Sequence, residues 1–307
     1  MGTERQHDVV VVGGGPAGVS AALECANNHL DTVLLEGAPA LGGQLAEIPF
    51  DVRNVATGWY ADGRALQSGL QRSAEFLGDR VLLQHPVSRA SLAGGWVGVG
   101  DVRFHARAVL IASGSRRQQL PAATDGSFGG DVTYQLETRP DGFLGQAVIV
   151  VGGGDSATLD ALELAATATS VTLVHRSESL TARRDITARV SAEARIVDLP
   201  GWEVESVAGA ERLEAATLVR PSTGERRTVP TRGLVVKISR VPSTEPYRGQ
   251  VELDRRGFVV ADSELRTSHP GVFAAGDVVA GAYWRVAYAL GQGMLAARSM
   301  LRFLEDG

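Results

Sequence analysis

One short pattern occurs twice in the 307 residues, and it constrains the fold more than anything else in the chain. The first copy opens with a continuous apolar run, Asp8-Val9-Val10-Val11-Val12, followed by glycines at 13, 14 and 15 and then Pro16-Ala17-Gly18. A β-branched run closed by glycines reads as a buried strand entering a tight turn. From about Pro16 to Asn28, Val19, Ala22, Leu23 and Ala26 fall at helix-face spacing. Pro16 suits a first helical turn, where its missing N–H has no partner to lose. A second run, Thr32-Val33-Leu34-Leu35, ends at Glu36. The second copy repeats this grammar: Ala147–Val151 as a strand, Gly152-Gly153-Gly154-Asp155-Ser156-Ala157, a helix to about Thr169, and a strand Val171–Val174 ending at His175-Arg176. Strand, glycine turn, helix and strand make a βαβ unit. Two of them, offset by 139 positions from Gly13 to Gly152, predict an α/β fold with two Rossmann-like dinucleotide-binding domains.

The pattern breaks at Gly114–Pro121 and again at Val241–Pro246. The chain then returns to a strand, Gly271–Asp277, and a last helix from about Val286 to Leu304. The second unit is therefore expected as an insertion in the first. Residues 1–116 and 243–307 form one domain and residues 117–242 the other.

In the first loop, Gly13 permits the turn, Gly15 lets backbone approach a diphosphate, and Gly18 lets the helix pack on the strand. The helix mouth supplies free N–H donors and a partial positive charge. Glu36 stands where a carboxylate accepts bonds from adenosine ribose hydroxyls. In the second loop, Gly152 and Gly154 are followed by Ala157 in the third place. No acid closes its second strand, which ends in His175 and Arg176 instead. A carboxylate there would repel a 2′-phosphate, whereas a guanidinium grips one, so NADPH is favoured over NADH, the alternative donor.

Further along, Gly42-Gly43-Gln44-Leu45, Asn54, Ala112-Ser113-Gly114 and Phe273-Ala274-Ala275-Gly276-Asp277 follow in that order. Over nearly its whole length the chain resembles the low-molecular-weight thioredoxin reductases and their relatives, the thioredoxin-reductase-like ferredoxin–NADP reductases. The resemblance implies tightly bound FAD on the first domain, NADPH on the second, and a homodimer. It implies FAD contacts from Gly13, Gly15, Pro16, Ala17 and Glu36 at the loop, with Gly276 and Asp277 at the ribityl chain. Gly43 and Gln44 would lie along the flavin end, Asn54 at the isoalloxazine edge, and Val87 against adenine through its backbone. Ala112 and Gly114 would line the crossover strand. Arg285, Val286 and Ala287 would offer the last helix's N–H groups to the flavin, where negative charge builds on reduction. Gly152, Gly154, Asp155, Ser156, His175, Arg176 and Arg183 would face the second dinucleotide.

Two departures matter. The family's second-domain pattern is His-Arg-Arg with a further Arg, but Ser177 and Thr181 stand where the latter two fall, leaving Arg183 and Arg184 as the nearest substitutes. Thioredoxin reductases also carry Cys-x-x-Cys just before the second glycine loop. The corresponding stretch, Val132–Thr138, has none, and the only cysteine is Cys25 in the first helix. Dithiol exchange through protein thiols is excluded by that count. The expected acceptor is therefore a small metabolite or a ferredoxin-like carrier. An FAD oxidase using oxygen without NADPH and a non-catalytic FAD-binding protein are the rivals.

Composition closes off other classes. A net charge of −5 argues against a nucleic-acid surface. The six histidines show no metal-binding spacing, so no metal is expected. No run approaches about 18 apolar residues, and the polar N-terminus lacks a signal pattern. A cytoplasmic protein with no membrane contact is the expectation.

Overall fold

In the computed structural model, residues 3–48, 51–136 and 142–306 are described, and structural statements below concern these. The chain forms two compact units, residues 1–116 with 241–307, and residues 117–240. The second crossing falls after Arg240, ahead of the expected boundary at 242. The reason is local: Pro242 is tied to the first unit, its carbonyl accepting from Arg116 Nη1 (3.4 Å).

The first unit opens with β1 (Glu4–Val12), α1 (Pro16–Asn27), β2 (Thr32–Leu35), α2 (Gly63–Ala74) and β3 (Val81–Leu82). Then come β4 (Arg89–Ser91), β5 (Trp96–Val99), β6 (Val102–Ile111) and β7 (Ser115–Arg117), where the chain crosses over. The second unit holds a helical turn α3 (Ser127–Gly130), β8 (Val132–Thr133), β9 (Ala147–Val151), α4 (Asp155–Ala165), β10 (Ser170–His175), α5 (Arg184–Ala192) and β11 (Ile196–Pro200). A meander follows, β12 (Glu203–Gly209), β13 (Leu213–Arg220) and β14 (Glu225–Pro230), then β15 (Gly233–Val236) and the return crossing β16 (Arg240–Pro242). The first unit resumes with β17 (Val272–Ala274) and α6 (Val286–Asp306).

The first sheet has the order β3-β2-β1-β6-β5-β4, with β17 also on β6. Its central strand explains its own sequence. Val9 and Val11 pack in one core with Ala22, Ala297 and Met300 of the helices, while Val10 and Val12 pack in another with Phe104 and Tyr247. Both faces are covered, so the strand is apolar throughout rather than alternating. Each such side chain contributes roughly 1.5–3 kcal/mol by burial. The second sheet, β11-β10-β9-β15-β8, repeats the arrangement. Val148 and Val150 meet Ala157, Ala161 and Leu164 of α4, and Ile149 and Val151 meet Trp202, Leu213 and Leu218.

Helix ends differ from expectation for identifiable reasons. α1 stops at Asn27 because His29 turns left-handed (φ 60°), with Leu30 N–H on Cys25 O (3.1 Å) and His29 N–H on Ala26 O (3.0 Å), the Schellman closure. α4 stops at Ala165, short of Thr169. Thr167 N–H tightens onto Leu164 O (3.0 Å), and Thr169 N–H already pairs with Gln146 O (2.9 Å). α6 runs on to Asp306. The Gly271–Asp277 segment is strand only over Val272–Ala274, because Gly276 turns away with φ 81°.

Candidate cofactor sites

At the carboxyl end of the first sheet, Gly13 N–H donates to Leu35 O (2.8 Å), Gly42 N–H to Gly14 O (2.8 Å) and Ala112 N–H to Val12 O (2.8 Å). Gly13 has φ 108°, and a Cβ on it would overlap the Ala112 carbonyl. A Cβ on Gly18 would overlap the Gly13 carbonyl in turn. Glu36 reaches back into the loop, accepting from Gly14 N–H (2.5 Å) and Ala38 N–H (2.7 Å) with its two oxygens.

Gly15 is different. Its φ of −75° suits any residue, and a Cβ on it would meet nothing within 4 Å. Neither strain nor packing within the chain calls for glycine there. The open side faces the mouth of α1, which begins with Pro16 and has no side-chain cap, so its first N–H groups stay available. Such a cradle fits a diphosphate.

Other expected residues converge on Gly15. A Cβ on Gly43 would lie 3.3 Å from Gly15 Cα. Gln44 Nε2 donates to Asp277 Oδ2 (3.0 Å) and to Ser115 O (3.1 Å), and Gly114 lies beside the same amide. Gly276 abuts Ala17 at the start of α1, and its N–H donates to Gln292 Oε1 (2.8 Å). Gln292 is missing from the sequence-based set. Its signal was a polar residue inside an otherwise apolar helix stripe. Asn54 is exposed and Val87 half-buried, and neither hydrogen bonds to this cluster. Arg285 is exposed and lies over the Tyr283 ring (4.8 Å) just ahead of Val286 and Ala287, the first residues of α6.

The second sheet ends in the same way. Gly152 N–H donates to Val174 O (2.9 Å), Thr181 N–H to Gly153 O (2.8 Å) and Lys237 N–H to Val151 O (2.8 Å). Gly152 has φ 137°, and a Cβ on it would overlap the Lys237 carbonyl. Gly154, with φ −91°, repeats Gly15: the only atom within 4 Å of a Cβ there would be Thr181 Oγ1, at 3.9 Å. This mouth also fits a diphosphate.

Its rim is built otherwise. His175 is buried beneath Gly153, with Nε2 2.9 Å from Asp198 Oδ1. Arg183 is committed to the first turn of α4: its N–H donates to Asp155 Oδ1 (2.8 Å), and its Nε lies 3.3 Å from Asp155 Oδ2. Arg176 and Ser156 are exposed, and Arg176 makes no ion pair with the described residues. Cys25 is fully buried, and burial, with Glu24 nearby, pushes its thiol up to about 12. Among the described residues no three His, Cys, Asp or Glu side chains come together as a metal site, and no helix is long and apolar enough to cross a membrane. Glu137 and Thr138, the end of the stretch aligned with the missing cysteine pair, lie outside the described residues.

Two diphosphate cradles, each at the carboxyl end of a parallel βαβ unit, define a protein that handles two dinucleotides. The profile of the pyridine nucleotide-disulphide oxidoreductase family matches residues 7–293, and the chain belongs to that family. It is 35% identical to a thioredoxin reductase of Streptomyces clavuligerus, over 97% of this chain and 94% of the relative. It is 31% identical to a thioredoxin reductase of Listeria monocytogenes, over 99% and 95%. Among solved structures it is similar to Lactococcus lactis thioredoxin reductase, with a TM-score of 0.80 and 27% identity, covering 98% of this chain and 100% of that one. The protein is thus an FAD-dependent NAD(P)H oxidoreductase of the thioredoxin reductase type, whose family cofactors are FAD and NADPH.

Proposed function

We propose that this oxidoreductase holds FAD on the first unit and NADPH on the second, and delivers electrons to an acceptor that is not reduced through protein thiols. One observation carries the reading: the single cysteine is sealed inside α1 with a raised pKa, so the chain has no dithiol to relay electrons. When bound, the cofactors supply the redox chemistry, hydride passing from nicotinamide C4 to flavin N5. The chain's own part is to bind and orient. Gly15 and the α1 mouth take the FAD diphosphate, Glu36 the adenosine ribose, and Asp277, held by Gln44, the ribityl hydroxyls. Gly154 and the α4 mouth take the NADPH diphosphate. The acceptor is a small metabolite or a ferredoxin-like carrier, and the protein acts as a cytoplasmic homodimer.

The test is anaerobic: NADPH is mixed with the yellow protein, and the flavin absorbance is followed before an acceptor screen. Bleaching is expected, and turnover should survive Cys25→Ala. A loaded flavin that neither NADPH nor NADH bleaches, or a Cys25→Ala protein that keeps its flavin but loses turnover, would overturn the proposal. One observation keeps an oxidase reading in play, since Arg183 is already spent on Asp155. Peroxide formation that needs no NADPH would select it.

A further inference from the structure

The second glycine loop is closed by a threonine where the first is closed by a glycine. Gly42 N–H donates to Gly14 O, and 139 positions further on Thr181 N–H donates to Gly153 O, both at 2.8 Å. Gly42 has φ 123°, and a Cβ on it would overlap the Gln67 side chain, so the first loop closes on backbone alone. The closure therefore needs no side chain at this position. Thr181 nonetheless adds a hydroxyl, which donates to the same Gly153 carbonyl at a longer 3.2 Å. That bond duplicates the main-chain one. Thr181 is also exposed, so core packing does not call for it.

The place of the hydroxyl does call for it. Gly154 opens α4 without a side-chain cap. Apart from residues adjacent in sequence, the atom that borders the open space over Gly154 is Thr181 Oγ1, 3.9 Å from where a Cβ would lie. That is the space that fits a diphosphate. Backbone holds the oxygen there. Thr181 N–H is bound to Gly153 O, and Arg183 N–H donates to Asp155 Oδ1 (2.8 Å), so the segment is pinned across the mouth of α4 at both residues.

We infer that the Thr181 hydroxyl donates to the diphosphate of the bound dinucleotide, a side-chain contact that the first cradle, with Gly42, lacks at this position. On binding, the O–H turns from Gly153 O to a phosphate oxygen, and the carbonyl keeps the Thr181 N–H. The exchange is favourable, because a hydrogen bond to a charged oxygen is stronger than one to a neutral carbonyl. The contact is distinct from recognition of the 2′-phosphate. Oγ1 borders Gly154 at the helix mouth, whereas His175 and Arg176 stand at the end of β10. This rests on reading the second unit as the NADPH site, and the experiment separates the two.

Calorimetry on the FAD-loaded protein would compare NADP⁺ with adenosine 2′-monophosphate, which keeps the adenosine and its 2′-phosphate but has no diphosphate. Thr181→Val removes the hydroxyl at nearly constant volume, Thr181→Ala removes it without the bulk of valine, and Thr181→Ser keeps it. In the valine and alanine variants NADP⁺ binding should weaken about tenfold or more, as expected for one lost hydrogen bond to a charged group. Binding of adenosine 2′-monophosphate should stay within about twofold, and Thr181→Ser should bind NADP⁺ within about twofold of the parent. Flavin content and melting temperature should stay close to the parent's in all three. Unchanged NADP⁺ affinity without the hydroxyl would overturn the inference. Equal weakening of both ligands would do the same, by placing the hydroxyl at the adenosine end. A serine variant as weak as the valine one would also overturn it, by leaving the threonine methyl group a mere shaper of the loop. A parent protein that bound neither ligand would sink the NADPH assignment itself, and the inference with it.

Discussion

The two glycine loops are one backbone with two rims. At a constant offset of 139 residues, Gly13 and Gly152 donate to Leu35 and Val174, Gly42 and Thr181 donate to Gly14 and Gly153, and Val19 and Thr158 donate to Gly15 and Gly154. The rim side chains diverge at the same offset: Glu36 against His175, Pro16 against Asp155, Gly18 against Ala157. Main-chain hydrogen bonds thus fix a cradle for a diphosphate in general. The side chains around it decide which dinucleotide is held. A carboxylate on the first rim suits ribose hydroxyls, and its absence from the second tolerates a 2′-phosphate.

The severest way to break the comparison is to fill the turn glycines. Gly13→Ala and Gly152→Ala each place a Cβ on a carbonyl oxygen at positive φ. Strain and overlap together cost roughly 2–5 kcal/mol. Gly13→Ala should yield colourless protein. Gly152→Ala should keep its flavin yet resist NADPH reduction. Absorbance at purification and after anaerobic NADPH reads both, and a yellow Gly13→Ala protein would refute the loop's role.

Gly15→Ala and Gly154→Ala come next, and they separate ligand from fold. Neither position has a positive φ or a close neighbour, so the fold should be unharmed or gain about 0.4–1 kcal/mol from a stiffer unfolded chain. Binding should suffer alone, Gly15→Ala lowering FAD affinity and Gly154→Ala NADP⁺ affinity, each about tenfold or more. A cofactor-free melting temperature that fell with the affinity would mean the glycines serve packing after all.

These loops were legible because their signals are local: glycines at fixed spacing after a run of valines. What was not legible depends on distant partners. The β12–β14 meander packs one face on the second sheet, so Val204, Leu213, Ala216 and Leu218 are buried among half-buried or exposed neighbours and give no continuous apolar run. Its clearest cue was the Pro221–Gly224 turn, where Gly224 takes φ 73°. The partnership of Arg183 with Asp155, 28 residues away, is set by where α5 starts beside α4, which no spacing rule reveals. His29 ends α1 left-handed without being the glycine that usually marks such a stop.

That pairing gives the third prediction. Arg176 is exposed and makes no ion pair among the described residues, whereas Arg183 is held on Asp155. Arg176→Ala should lower the preference for NADPH over NADH about tenfold, the worth of one charge-assisted phosphate contact. Arg183→Gln should change KM for both nucleotides alike and leave their ratio within about twofold. A collapsed ratio in Arg183→Gln would show that the guanidinium leaves Asp155 to read the 2′-phosphate.

The smallest effect concerns the third glycine position. In the first loop a Cβ on Gly18 would overlap the Gly13 carbonyl, while the second loop accommodates Ala157, fully buried against Gly152. The helix there has been given just enough room for a methyl group. Ala157→Gly should therefore cost only the weaker helix propensity and a little packing, about 1 kcal/mol. That lowers the melting temperature by about 2–4 °C, with flavin content unchanged and NADP⁺ affinity within about twofold. The mirror substitution, Gly18→Ala, should expel FAD, because its methyl group would push the helix mouth off the strand. Equal, mild effects from the two would mean that the loops share one spacing, and that the third position does not distinguish the cradles.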